Sequence, residues 1–180
     1  MISIIGLDLS LTSTGVSVCG KTSVLATKSR GAERLHVISS EIIKICASND
    51  VDCAIIEGYS FASRNSQAHS IGELGGAVRM RLWESEIPFI DIPPTCRAKF
   101  ATGKGNASKS EVVSSVSAKT GIVFSGSGGD DECDAWLLEE MALQHIGLAK
   151  HPWASVNISA LDKVDWSNLD ALIGENFGAQ

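Results

Sequence analysis

No stretch of this chain stays apolar for the roughly 20 residues that a membrane-spanning helix needs, so a spanning helix is not expected. The first hydrophobic stretch is interrupted by Asp8 and lacks a basic lead-in, so it does not read as a secretory leader. Paired cysteines are also missing. Cys19, Cys46, Cys53, Cys96 and Cys133 are scattered, odd in number and never in a C-x-x-C pair. That pattern predicts reduced thiols in a cytoplasmic setting and excludes a disulfide framework or a zinc knuckle. There is no His/Cys cluster to favour a soft metal, and no internal repeat. A net excess of positive charge is lacking as well, the formal charge being -6.

The distribution of charge says more than its sum. Between Arg97 and Lys119 stand five basic residues (Arg97, Lys99, Lys104, Lys109, Lys119) and one acid, Glu111. From Thr120 onward there are ten acids and two lysines. A chain polarised in this way can present a basic surface while being acidic overall. Its 180 residues and 44% hydrophobic content support one domain with a real core. We place that domain at residues 1–150. Residues 151–180 read as an acidic tail that docks loosely or not at all.

What is present begins with Ile2-Ser3-Ile4-Ile5-Gly6-Leu7, a β-branched run that reads as a buried strand ending at Asp8. A Ser/Thr turn and Gly15 lead into Val16–Cys19, making a hairpin, and Thr22–Thr27 adds a third strand. Leu35, Ile38, Ile42 and Ile45 mark an amphipathic helix over 32–47. Asp52–Glu57 is a fourth strand, also ending in a carboxylate. A helix over 67–84 is rich in small residues (Gly72, Gly75, Gly76, Ala77), which suits close approach of another backbone. A strand over 87–92 stops at Pro93-Pro94, and a short helix follows over 94–101. Ser108 and Glu111 form a capping box that opens a helix through Lys119. The last long helix is expected over 130–149. The order predicts an α/β architecture, a central mixed sheet with an antiparallel hairpin, flanked by helices.

Carboxylates recur at the places this order brings together. Asp8 and Glu57 end apolar strands. The last helix opens Asp130-Asp131-Glu132-Cys133-Asp134, where Asp131 and Asp134 share a face, roughly 60° apart and about 4.5 Å along the axis. Four converging carboxylates repel one another unless divalent cations lie between them. Oxygen ligands of this kind favour Mg2+ or Mn2+, and two such ions ~3.5–4 Å apart support in-line attack of water on a phosphodiester.

The motifs resemble the RuvC-type Holliday junction resolvases of the RNase H-like superfamily. Gly6-Leu7-Asp8 with Thr14-Gly15, Ile55-Ile56-Glu57, the lysines Lys99 and Lys109 around a Gly-containing loop, and Asp131-x-x-Asp134-Ala135 occur in the family's order over about residues 2–147. Leu9-Ser10 departs from the Pro-Gly common in the family. The resemblance implies the RNase H-like fold, a homodimer joined through the 67–84 helix, and Mg2+-dependent nicking of four-way junctions, in the relaxed manner of a phage-encoded member. It also implies Asp8, Glu57, Asp131 and Asp134 as metal ligands for two ions. Lys109, with Lys99, would face the scissile phosphate. Tyr59 and Phe61 would stack on unpaired bases. Arg64, Arg79, Arg81, Arg97 and Lys104 are candidates for backbone contacts. Two other readings share some of these features: an actin-like ATPase or sugar kinase, whose fold also opens with a strand, an Asp and a phosphate-holding turn, and a non-catalytic junction-binding protein.

Overall fold

The structure, a computed structural model, describes residues 2–58 and 67–177. Five strands form one sheet: β1 (Ile4–Asp8), β2 (Thr14–Val18), β3 (Lys21–Leu25), β4 (Cys53–Glu57) and β5 (Phe89–Ile92). Their order is β3-β2-β1-β4-β5. The first three run antiparallel to one another in sequence, whereas β4 lies parallel to β1 and β5 parallel to β4. The β2–β3 turn places both Cys19 and Gly20 at positive φ, 54° and 73°, the conformation of a two-residue hairpin loop whose twist matches the strands.

Strand side chains alternate between faces, and the alternation sorts the core in two. Ile5 and Leu7 of β1 and Ala54 and Ile56 of β4 face α1 (Gly31–Ser48) and α2 (Gln67–Glu84), packing with Ile38, Ile42, Leu74, Val78 and Leu82. Ile4, Cys53, Ile55, Ile90 and Ile92 face the other way. There they meet α3 (Pro94–Thr102), α4 (Lys109–Thr120) and the buried helix α5 (Gly129–His145). Both predicted boundary signals act as such: Pro94 opens α3, and the Ser108/Glu111 capping box opens α4.

Two glycines let α5 lie against the sheet backbone to backbone. A Cβ on Gly6 would stand 2.1 Å from the Ala135 carbonyl oxygen, and one on Gly15 would stand 2.1 Å from that of Asp131. Neither is a contact that any side chain can make. Further along, Ser17 of β2 donates to the Glu139 Oε2 of α5 at 2.5 Å, and the Gly20 N–H donates to Glu139 Oε1 at 2.9 Å. Helix and hairpin are thus fixed to each other along their length.

Residues beyond 150 correct the expectation of a loosely docked tail. They form α6 (Ser155–Ile158), a 3-10 turn at Leu161–Lys163 and α7 (Ser167–Phe177). Trp153, Ala160, Leu161, Trp166 and Leu169 are buried in the same cluster as α3 and α5. Trp153 packs on Phe100 with ring centroids 4.3 Å apart and donates its indole N–H to Glu140 at 3.1 Å. Asn157 donates to the Phe100 carbonyl at 2.6 Å, and Asn168 to that of Phe89 at 2.9 Å. The acids here, Asp162, Asp165 and Asp170, line the solvent side of a segment anchored by its tryptophans; net charge alone hides that anchoring.

Gly15→Ala should therefore destabilise the protein by about 1–3 kcal/mol, the usual cost of forced overpacking, as read by urea denaturation. Trp153→Ala, which removes a buried aromatic from a single cooperative core, should cost about 3–5 kcal/mol. An unchanged midpoint for Trp153→Ala would mean that the last segment is not part of that core.

Candidate active site

Asp8 and Glu57 end neighbouring parallel strands, with Leu7 in register with Ile56. Alternation turns both acids to the face that α5 covers. The glycine contacts set α5 at a depth where Asp134, in its second turn, reaches the same place. Asp8 and Asp134 are buried and Glu57 is half-buried.

Between these acids lies Arg97, from the first turn of α3. Its Nε donates to Glu57 Oε1 at 2.5 Å, and its Nη1 donates to Asp134 Oδ1. The sequence suggested Arg97 for a DNA-backbone contact. The structure places it inside the carboxylate cluster, 7% exposed. It lies there because α3 buries Cys96, Arg97, Ala98, Phe100 and Ala101 together. One guanidinium does not neutralise three acids. Burial first, then the Glu57 and Asp134 charges, push the Asp8 carboxyl from 3.8 up to about 8. Burial also raises Asp134 to about 7 against the lowering effect of Arg97. Burial would lower Arg97, but the Glu57 and Asp134 carboxylates more than offset it and hold its pKa above the ordinary value. Asp134 Oδ2 is buried with no hydrogen-bond partner.

Asp131 stands one turn earlier and is less enclosed. It accepts from Ser13 Oγ at 2.5 Å and lies 3.5 Å from Lys109 Nζ. Lys109, the first residue of α4, also pairs with Asp130 at 3.0 Å. Desolvation, which would lower the Lys109 pKa, is outweighed by the Asp130 hydrogen bond and by the Asp134, Asp130 and Asp8 charges, so the ammonium is held protonated. The Lys109 hydrogen bond in turn holds Asp130 below its usual range. The expected four-carboxylate cluster is therefore two linked groups: Asp8, Glu57 and Asp134 around Arg97, and Asp130 and Asp131 around Lys109. As they stand, no three His, Cys, Asp or Glu side chains among the described residues are grouped to enclose a metal ion. Arg97 takes up two of the three inner acids, and Asp131 is turned toward Ser13 and Lys109.

The other predicted residues are spread more widely. Lys99 is half-buried in the last turn of α3, and Lys104 is exposed in the loop that follows. Arg79 is paired with Asp91, and Arg81 lies 3.6 Å from Glu84, so both meet acids of the chain itself. Tyr59, Phe61 and Arg64 lie outside the described residues. Sequence reasoning missed Ser13, gave Gly6 only as part of a motif, and gave Arg97 only as a DNA-backbone contact. No signal in the sequence separates Arg97 from Lys99, the other cation among Cys96, Ala98, Phe100 and Ala101.

In chelator-treated protein the raised carboxyl pKa values have a consequence for stability. Asp8 has a folded-state pKa of about 8 against 3.8 away from these neighbours, so the folded state binds protons that the unfolded state releases. Stability is then full below about pH 4 as far as this group is concerned, and it declines as pH rises toward 8. Asp134 acts in the same direction up to about 7. Asp8→Asn should flatten that decline and be the more stable form at pH 8–9, by on the order of 1 kcal/mol, in thermal melts run from pH 5 to 9. A wild-type stability that rises over this range would contradict the raised carboxyl.

With the geometry in place, comparison with known proteins is informative. The family model described as crossover junction endodeoxyribonuclease RuvC matches residues 4–123. The crossover junction endodeoxyribonuclease RuvC of Sorangium cellulosum (strain So ce56) is 32% identical over 87 residues, which is 48% of this chain and 49% of that protein. The match thus spans about half the length of this curated relative. Thermus thermophilus RuvC in complex with a Holliday junction substrate superimposes with a TM-score of 0.65 at 19% identity, over 84% of this chain and all of that one. The yeast mitochondrial Holliday junction resolvase Ydc2 matches at 0.55 and 11%, over 94% of this chain and 81% of that one. These likenesses show the fold to be RNase H-like, with a five-stranded mixed sheet between layers of helices. Since the family model covers well over half of its length, the chain belongs to the RuvC family of crossover junction endodeoxyribonucleases.

Proposed function

We propose that this protein is a structure-selective endonuclease that resolves Holliday junctions and other branched DNA by metal-assisted phosphodiester hydrolysis. The observation that carries the reading is the meeting of Asp8, Glu57 and Asp134 from β1, β4 and α5 around a buried carboxylate oxygen without a partner. Family membership supports it, since nucleases of this family depend on a metal. So does the likeness in fold to Thermus thermophilus RuvC, which was solved in complex with a Holliday junction substrate.

The donor set fits a hard divalent cation. All the groups are carboxylate oxygens, their charge exceeds what Arg97 and Lys109 supply, and Asp134 Oδ2 is an unused lone-pair site in a buried setting. Asp8, Glu57, Asp131 and Asp134 would hold Mg2+ or Mn2+, two ions in the fullest arrangement. When bound, such ions polarise water and stabilise the charge of a phosphodiester under in-line attack. The chain's own residues do the rest. The paired strands and α5 fix the backbone positions from which these carboxylates would reach an ion. Lys109, kept protonated beside Asp130 and Asp131, offers a fixed positive charge to the scissile phosphate. Lys104 on the exposed loop, with Lys99 behind it, would track the neighbouring backbone. Tyr59, Phe61 and Arg64 keep their proposed stacking and backbone roles.

A second copy of the chain would join through α2. Its inner side packs on α1 through Leu74, Val78 and Leu82. Its outer side exposes Met80 and Trp83, and a Cβ added at Gly76 would meet nothing within 4 Å among the described residues. Two resolving nicks on paired strands need two such sites, which is the functional reason for a dimer.

Purified protein with Mg2+ should nick synthetic four-way junctions on paired strands, and less readily Y-shaped or duplex DNA. Asp8→Asn and Glu57→Gln should each reduce cleavage by at least about a hundredfold, the scale of losing a preorganised charged group in the transition state, while leaving junction affinity within about threefold. Equal junction binding with no cleavage by the wild type at any Mg2+ or Mn2+ concentration would favour a non-catalytic binding protein, and ATP turnover without DNA cutting would favour the actin-like reading.

A further inference from the structure

Arg97 is the one cation among the described residues that touches both sides of the inner carboxylate group. It binds Glu57 Oε1 and Asp134 Oδ1, is buried, and lies among apolar neighbours on α3. A guanidinium does not shed its proton in a protein, so the charge it brings is permanent. Its two contacts take one oxygen each from Glu57 and Asp134, two of the carboxylates that would hold a divalent ion. A guanidinium and a divalent cation compete for the negative charge and the orientation of the same two carboxylates.

A purely structural ion pair in such a place should be fully satisfied, because a buried network with one orphan member is costly. This one is not, since Asp134 Oδ2 has no partner. We propose that Arg97 is a displaceable countercation. It holds Glu57 and Asp134 in place while no metal is bound, and it must give up those carboxylates for a divalent ion to enter. The metal affinity of the DNA-free protein is therefore set by competition with its own side chain. The displaced guanidinium has an alternative partner of matching geometry in a DNA phosphate, which it can grip through two parallel N–H donors. Arrival of the phosphodiester then relieves the competition, and the metal and the DNA bind more tightly together than apart. The proposal rests on the metal-dependent reading above and adds to it a residue that opposes metal binding in the resting protein.

The test measures Mn2+ binding to the full-length protein without DNA, by calorimetry and by the loss of free-ion paramagnetic signal. Wild type, Arg97→Gln, Arg97→Lys and Asp8→Asn are compared, with circular dichroism as the check on folding. Arg97→Gln should bind Mn2+ at least about tenfold more tightly than wild type. It should also melt lower in chelator and show a larger rise in Tm on adding Mn2+. Arg97→Lys, a point charge without the guanidinium fork, should fall between the two, and it carries the comparison if the glutamine variant does not fold. A four-way junction carrying non-cleavable phosphorothioate linkages should tighten Mn2+ binding in wild type and do so much less in Arg97→Gln. Equal or weaker Mn2+ binding by the Arg97 variants, with wild-type binding still lost in Asp8→Asn, would overturn the competition and leave the metal site standing. Mn2+ binding that Asp8→Asn does not weaken would remove the metal site itself, and the competition with it.

Discussion

The arrangement depends on how closely α5 approaches the first two strands. A helix normally rests on a sheet through a layer of side chains, which would hold the Asp131–Asp134 turn a residue's width away from Asp8. At Gly6 and Gly15 that layer is missing, and main chain meets main chain. The helix is lowered onto the strands just below the point where β1 ends in its acid. The hydrogen bonds from Ser17 and Gly20 to Glu139 then fix the helix against sliding. Two hydrogen atoms in place of side chains are thus what turns a carboxylate on a strand and a carboxylate on a helix into neighbours.

That closeness creates an electrostatic problem which the rest of the site answers locally. The fold answers it three ways at once: by burial that raises the Asp8 pKa and favours its neutral form, by the guanidinium of Arg97 between Glu57 and Asp134, and by Lys109 at the outer acids. None of the three is complete, and the unpartnered oxygen of Asp134 is the visible remainder. A structure stabilised only for its own sake would bury apolar residues in their place, since hydrophobic packing is commonly at least as stabilising as an ion pair. The retained charge is best understood as a cost in stability accepted so that cations and phosphates can be handled.

Much of this was legible in the residues. The short apolar runs of β1 and β4, the Pro93-Pro94 stop and the Ser108 capping box are local signals, and local signals survive folding. The acids were legible for the same reason: a carboxylate at the end of an apolar strand is locally out of place. Arg97 was not, because what decides its role is the distance between α3 and β4, and no spacing along the chain encodes that. The segment after residue 150 was misread because composition was weighed over position. Its acids face water, while Trp153, Trp166 and Leu169, spaced too irregularly to mark a helix face, carry the packing.

The wrap of that segment over α3 also bears on the order in which the protein is made. Asn157 and Trp153 brace Phe100, three residues beyond Arg97. A growing chain already carries Asp8, Glu57 and Asp134 before it carries the residues that hold α3 against them. The helix that carries Arg97 gains its last contacts only when those later residues have emerged from the ribosome. A half-synthesised chain lacks the Trp153 and Asn157 contacts that complete the bracing of α3, so the carboxylate cluster reaches its full packing late in translation.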